Sequence, residues 1–340
     1  MTSQTPGKSP TERRRRSFIA IGALLSIALA LAAAEILLRL TGHAPVSECA
    51  DADEPVLYDP DPQLGWRSKP GEYAIPPSLP GAPATEMTIL PDGARTTGPR
   101  GTDGPSVVFV GCSFTQGIGI SDADTYAWKL QARFPSWRVR NLGIGAYGTY
   151  QALLMLERTF AQPDPPQRVF YGFIEPHQMR NIAHPAWLHM LSLCSRRGMV
   201  YTPYCTLDAA GELVRHRPES YRLWPLQHYF ATVAFLQDRY ADFRDAERTA
   251  QARQVTERLL LEMDRLSKQH GARLSVLVLY ASTQGKAHYV DFLERHGVDV
   301  IDCAFPITRD LTVPGEGHPN GALNTRWADC IASTIDGTGS

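Results

Sequence analysis

Val107-Val108-Phe109-Val110-Gly111-Cys112-Ser113-Phe114-Thr115-Gln116-Gly117 is the stretch from which the fold is read. Its first four residues are an unbroken β-branched and aromatic run closed by a glycine, the composition of a strand buried on both faces. Ser113 follows two residues after the run, between glycines that permit a tight turn. A serine so placed presents its hydroxyl at the carboxyl edge of a sheet, where the next backbone amides also point. That geometry suits a nucleophile, and it differs from the Gly-x-Ser-x-Gly elbow. Gly111 and Gly117 lack the Lys-Ser/Thr that would make a phosphate loop.

Outward from this strand the pattern alternates at α/β spacing. A helix is predicted over 123–134, a strand over 138–142, a helix over 149–160 and a strand over 169–174. An aromatic-rich, proline-punctuated insertion spans 175–224. Helices over 227–243 and 247–270, a strand over 274–280, a helix over 288–296, a strand over 298–301 and a closing helix over 320–335 complete the series. Val255, Leu259, Leu260, Met263 and Leu266 fall at helical spacing and read as core. Strands separated by helices imply a three-layer α/β/α sandwich with a doubly wound parallel sheet. In such sheets ligands collect at the carboxyl ends of the strands, near the point where strand order reverses.

Before the sheet lie three other regions. Residues 1–17 form a basic tail containing Arg13 to Arg16, and 18–40 form an apolar run long enough to span a bilayer as a helix. Residues 41–105, rich in Pro, Gly, Asp and Ala, read as a linker and irregular preamble, with a hairpin near Met87–Leu90; the α/β domain is 106–336. The arginines precede the span, so the positive-inside rule leaves the tail in the cytoplasm and the rest outside. Glu35 stands one turn before Arg39, positioned to pair with it. Ala32-Ala33-Ala34 has the small-residue character of a cleavage site, so a retained signal-anchor and a cleaved export signal both stand as readings. Either exports the body. The expectation is a single-pass protein of a bacterial inner membrane with its main domain in the periplasm or on the extracellular face.

Composition removes other classes. The 340 residues, 43% hydrophobic and 20% charged, exclude wholesale disorder, and 34 basic against 35 acidic side chains leave no nucleic-acid footprint. Six cysteines include no Cys-x-x-Cys pair with a matching second pair, so the common structural zinc sites are excluded. In an oxidising compartment Cys194 with Cys205, and Cys303 with Cys330, are candidates for disulfides; buried thiols packing as small apolar groups are the alternative. The spacing of histidines suggests no metal site, and no organic cofactor is implied.

The first block, Gly111 to Gly117, resembles that of the SGNH, or GDSL, hydrolase superfamily, with Cys112 where the usual aspartate stands. Glu316-Gly317-His318-Pro319-Asn320 is similar to the superfamily's last block, just before the final helix. The resemblance covers about residues 106–336. It implies Ser113 as nucleophile and His318 as general base. The usual acid position, three before the histidine, is Gly315. Glu316 is the nearest carboxylate, and acid-x-His spacing also occurs in the related alginate acetyltransferases. Asp302, Asp310 or a Ser–His dyad remain alternatives. Asn141-Leu142-Gly143-Ile144-Gly145-Ala146-Tyr147-Gly148 resembles the second block, which puts an oxyanion-hole amide at Gly145 or Ala146 beside that of Ser113. The third block's asparagine is missing from Glu175-Pro176-His177-Gln178-Met179-Arg180-Asn181, which leaves His177 or Asn181 to substitute.

The resemblance thus implies a serine esterase or O-acyltransferase working through an acyl-Ser113 intermediate on acetyl groups of a cell-envelope or exported polysaccharide. The alternatives are a lipase- or thioesterase-type member, with Trp187, Leu188, Met190 and Leu191 as an acyl surface or a lid, and a non-catalytic glycan-binding or assembly protein. The expected partners are an acylated carbohydrate or other ester and the lipid bilayer.

Overall fold

A computed structural model of the chain describes residues 10–47, 55–77, 79, 84–99, 101, 103–195 and 200–337. The first nine residues of the basic tail lie outside that set. In chain order the elements begin with α1 (Pro10–Leu40), β1 (Tyr58–Asp61), β2 (Gly65–Ser68), β3 (Gly71–Ile75), β4 (Thr85–Ile89) and β5 (Ser106–Gly111). Then come α2 (Ser113–Gln116), α3 (Tyr126–Arg133), β6 (Arg138–Asn141), α4 (Thr149–Phe160), β7 (Arg168–Ile174), α5 (His177–Asn181) and α6 (Pro185–Leu193). The remainder are β8 (Thr202–Leu207), β9 (Leu213–Glu219), α7 (Ala231–Arg244), α8 (Ala246–Ala250), α9 (Ala252–Gln269), β10 (Arg273–Tyr280), α10 (Thr283–Arg295), β11 (Asp299–Asp302) and α11 (Gly321–Gly337).

The chain divides into two units, residues 1–48 with 222–244, and residues 49–221 with 245–340. In the larger unit five strands form one parallel sheet in the order β11-β10-β7-β5-β6. The first strand in sequence, β5, lies between the second, β6, and the third, β7. The order reverses there, so the carboxyl ends of β5 and β7 flank the switch point. Alternation along the strands sends side chains to two cores. Val107 and Phe109 join Phe170, Leu277 and Ile301 beneath α3 and α11. Val108 and Val110 join Val169, Tyr171, Val276 and Val278 beneath α4, α9 and α10. Burial on both faces is what an uninterrupted apolar run demands. The α9 residues Val255, Leu259, Leu260 and Met263 are buried at helical spacing, as predicted.

The region read as an irregular preamble contains two antiparallel hairpins, β1–β2 and β3–β4. Arg158 of α4 clamps the first by a bidentate pair with Asp61 at 2.7 and 2.8 Å. Arg95, just after the second, is wholly buried and reaches the turn behind Ser113. The insertion holds α5, α6 and the β8–β9 hairpin.

Cys303 and Cys330 are disulfide-bonded, joining the end of β11 to α11. The Cys194–Cys205 candidate is corrected. Cys205 faces inward on β8 as a free, fully buried thiol, its pKa pushed up to about 12 by burial. Cys194 is disulfide-bonded, but not to Cys205. In the smaller unit, α1 is the one helix among the described residues long and apolar enough to cross a membrane. Its Glu35 pairs with Arg39 at 2.6 Å.

Candidate active site

Ser113 opens α2 directly beyond β5, at the switch point. The sheet can turn into a helix here because two glycines make room for the first helical turn. A Cβ on Gly111 would lie 2.3 Å from Thr115 Oγ1, and one on Gly172 of the adjacent β7 would lie 2.2 Å from the same atom. Gly111 also adopts φ 155°, which side-chain-bearing residues rarely take. The amides of Gly117 and Ile118 return to the Ser113 carbonyl at 2.8 and 3.1 Å, closing the turn. Cys112 points into the α3–α11 core and is fully buried, away from the site. Ser113 stays slightly accessible, at 7% relative exposure, and its hydroxyl has no hydrogen-bond partner among the described residues.

His318 sits at the end of a tight loop before α11. Thr312 pairs with Pro319 across this loop, and the Val313 amide donates to the His318 carbonyl at 2.7 Å. Gly315 and Gly317, with φ 83° and 84°, let the loop reverse within a few residues. Asn320 then fastens its base: the Asn320 side-chain amide donates to the carbonyls of Asp310 and Thr312, and its oxygen caps α11 at the amides of Ala322 and Leu323.

Within this loop Glu316 Oε1 comes to 2.9 Å from His318 Nδ1. The approach is close but not aligned as a hydrogen bond, so Nδ1 and Glu316 Oε2 are both left without a hydrogen-bond partner. Glu316 is therefore the carboxylate at the imidazole. Asp302 instead pairs with Lys286 at 3.0 Å and caps the Ala304 amide. Asp310 is exposed and held below the ordinary carboxylate range chiefly by a hydrogen bond from Thr308. Phe114, adjacent to Ser113, meets the His318 ring edge-on at 6.0 Å and stacks on Trp327 at 5.8 Å. Trp327 in turn donates to the Cys303 carbonyl at 3.0 Å, so the disulfide region backs the wall against which the histidine rests.

The oxyanion candidates separate cleanly. The Gly145 amide is occupied, donating to Gln116 Oε1 at 2.6 Å. Ala146, next in the chain, is held in the left-handed region at φ 68°. Its amide has no acceptor among the described residues. A non-glycine in that region costs about 1–2 kcal/mol, and the β1–β2 hairpin supplies the restraint. Trp66 Nε1 donates to the Gly145 carbonyl at 3.0 Å, and the Tyr147 hydroxyl donates to the Trp66 carbonyl. Tyr58 of the same hairpin donates to Gln116 Oε1 at 2.7 Å.

His177 and Asn181 are placed differently from their expected role. The Asn181 side-chain amide donates to Thr149 Oγ1 and Thr256 Oγ1 at 3.0 and 2.9 Å, while its oxygen accepts from the Tyr150 amide at 3.1 Å. It fastens α5 to α4 and α9. His177 is fully buried, with Nδ1 2.6 Å from the Tyr171 hydroxyl and Nε2 unpartnered. Burial, with Arg180 nearby, drives its pKa well below the ordinary histidine value, so the ring is neutral.

Arg95 is the residue that sequence reasoning missed. Its side chain is fully buried and pairs with Asp122 at 2.7 Å. Its remaining donors reach the carbonyls of Glu86, Gln116, Gly117 and Ile120. Three of those four carbonyls belong to the turn behind Ser113. A lone arginine in a Pro- and Gly-rich stretch carries no signal of this; only Gln116, inside the quoted block, lay within reach of motif reasoning.

A serine at the switch point of a doubly wound sheet, with a histidine–carboxylate pair on the loop before the last helix, is the layout of a serine-dependent acyl-transfer site. No protein-family model and no curated protein sequence matches the chain. Among solved structures it is similar to that of TesA, at 13% identity and TM-score 0.39, covering 68% of this chain and 97% of that one. It is also similar to a member of the lipolytic G-D-S-L family from Veillonella parvula, at 12% identity and TM-score 0.37, covering 67% and 96%. A third is the esterase EstA from Pseudoalteromonas, at 11% and 0.39, covering 68% and 97%. At TM-scores below 0.5 these likenesses carry no weight for the activity.

Proposed function

We propose that the chain is an SGNH-type serine ester hydrolase or O-acyltransferase, tethered to the membrane by α1 and acting on small acyl esters of envelope carbohydrate. The observation that carries the reading is the Glu316–His318 pair, 2.9 Å apart on the loop before α11, with the imidazole resting on the residue next to Ser113. In the first step His318 takes the Ser113 proton while Ser113 Oγ attacks the acyl carbon. The carbonyl electrons move to oxygen, facing the amides of Ser113 and Ala146. The tetrahedral intermediate collapses as His318 protonates the departing alkoxide, leaving acyl-Ser113. An acceptor hydroxyl then loses its proton to His318 and attacks the acyl carbon, and Ser113 leaves with the proton returned. Water as acceptor gives hydrolysis, and a sugar hydroxyl gives transfer. Glu316 stabilises the imidazolium in both halves.

A small acyl group is favoured by the state of α6. Leu188 is buried, Leu191 packs on the core, and Arg180 covers Trp187 at 4.4 Å, which leaves Met190 as the exposed member of the proposed acyl surface. One observation favours a second reading, a non-catalytic glycan-binding protein: Asn181 is committed to packing, so its amide does not serve as the third oxyanion donor. A missing donor of this kind costs about 2.7–4 kcal/mol in the transition state. The two readings divide on p-nitrophenyl acetate hydrolysis by the detergent-solubilised full chain. Loss of turnover in Ser113→Ala supports the enzyme; equal hydrolysis by both proteins rejects it.

A further inference from the structure

The smaller unit holds an exposed apolar segment that the ester chemistry does not use. Between Arg222 and α7 the sequence reads Leu223-Trp224-Pro225-Leu226-Gln227-His228-Tyr229-Phe230. Leu226 is 56% exposed, Tyr229 70% and Phe230 45%. Leu226 also sits at φ 71°, a conformation costly for a branched side chain, and its side chain is displayed to the outside.

Polar contacts pin this segment to the end of α1. The Glu35 carboxylate accepts from the amides of Ala231 and Thr232, both at 2.9 Å, and from the Thr232 hydroxyl at 2.8 Å. It thereby caps the positive end of α7. Arg39, itself paired with Glu35, donates to the Tyr229 carbonyl at 2.9 Å. The Val46 amide donates to the Gln227 carbonyl at 3.0 Å. At 1.5 Å per residue, Glu35 lies about 7.5 Å before the end of α1 at Leu40 along the helix axis. The segment therefore lies beside the last two turns of an apolar helix, where Ile36 and Leu37 are themselves about 60% exposed. Helix end and segment are thus fastened together, and each carries exposed apolar side chains. The segment's Trp and Tyr content is that of a bilayer headgroup zone, and the contacts account for a carboxylate so near the end of a span.

We propose that the Trp224–Phe230 segment is a second membrane contact, seated in the headgroup region of the leaflet from which α1 emerges. The occupant is lipid, because the segment is fastened to the last turns of the apolar helix and displays Leu226, Tyr229 and Phe230 there. The proposal rests on the reading of α1 as a retained span. The test places the photo-crosslinking residue p-benzoylphenylalanine singly at Leu226, Tyr229, Leu29 of α1, and the exposed Tyr201 of the larger unit. Each full-length protein is reconstituted in phosphatidylethanolamine–phosphatidylglycerol vesicles, irradiated and weighed by mass spectrometry. Lipid adducts are expected at Leu29, Leu226 and Tyr229, with yields at the latter two about tenfold above that at Tyr201. Adducts at Leu29 with Leu226 and Tyr229 at the Tyr201 level overturn the second contact and leave the span standing. Absence of adducts at Leu29 rejects the span and the proposal together. Crosslinks from Leu226 or Tyr229 to a second copy in place of lipid also overturn it.

Discussion

Replacing Arg95 should do more damage than its distance from Ser113 in sequence suggests. The guanidinium is fully buried, donates to Asp122 at 2.7 Å, and binds four backbone carbonyls. Burial pulls its pKa below the ordinary arginine value while Asp122 pushes it back up. Arg95→Met removes the cation and the donors to the buried carbonyls of Gln116, Gly117 and Ile120, while Asp122 keeps the Thr88 amide and partial exposure. Each buried carbonyl left unsatisfied costs about 1–3 kcal/mol, so the three together should cost about 3 kcal/mol or more. Arg95→Lys retains the charge but offers three donors in place of five, without the planar fork, and should cost about 1–3 kcal/mol. The carbonyls of Gln116, Gly117 and Ile120 belong to the turn that fixes Ser113, so activity should fall as well. A displacement near 1 Å costs about a hundredfold in rate, and kcat/KM of Arg95→Met should drop at least about tenfold. Urea unfolding gives the stability and p-nitrophenyl acetate hydrolysis the rate. An Arg95→Met protein within about 1 kcal/mol of the parent, with unchanged kcat/KM, would refute the reasoning.

Three further outcomes follow from the geometry. A Cβ on Gly119 would lie 2.3 Å from Glu316 Oε2, so Gly119→Ala should displace the carboxylate and lower kcat about tenfold or more with KM little changed; Gly93→Ala, with similar positive φ and nothing within 4 Å, is the control that should keep its rate. Removing the Cys303–Cys330 bond, whose cysteines are 27 residues apart, by the double substitution Cys303→Ala and Cys330→Ala should destabilise the larger unit by about 3.5 kcal/mol on the chain-entropy argument, measured as a shift in urea midpoint without reductant. Burial raises the Asp61 pKa, but the Arg158 pair and the amides of Leu64 and Gln63 outweigh it and lower it from 3.8 to about 2. A carboxyl whose folded pKa is depressed stabilises the fold above its unfolded pKa, and that stability is lost as pH falls through the folded one. Asp61→Asn should therefore cost at most about 1 kcal/mol at pH 7, after allowance for solvent screening, with the difference from the parent closing between about pH 4 and pH 2; an equal gap at both ends of that window would contradict the pairing.

The elements that the sequence made legible are those whose own composition decides them. Val107 to Val110 must be covered on both faces, and they lie in the middle of the sheet; α9 shows its buried stripe at helical spacing. The Glu35–Arg39 pair is a one-turn contact and was equally readable. Of the hairpins near residues 58–89, the turn after Met87–Leu90 was readable and is present as the Ile89–Arg95 bridge, whereas the short strands containing Pro60 and Gly71 were not, because they are fixed by what they pack on. Tyr58 finds Gln116, and Asp61 finds Arg158. The pairing of Cys205 failed for a related reason: on β8 its side chain points inward, a matter of register that loop length does not reveal. At the candidate site, the motif supplied Ser113, Glu316 and His318. The separation of Gly145 from Ala146 depended on Gln116 reaching one amide and not the other, and no spacing rule contains that contact.

The central claim, that Ser113 is a nucleophile activated by His318, is tested most directly by fluorophosphonate labelling of the full-length protein with peptide mass mapping. The expected result is a single phosphonyl adduct on Ser113, formed rapidly in the parent and slowed by at least about a hundredfold in His318→Ala. No adduct on Ser113, or labelling of Ser113 at the same rate in His318→Ala, would contradict it.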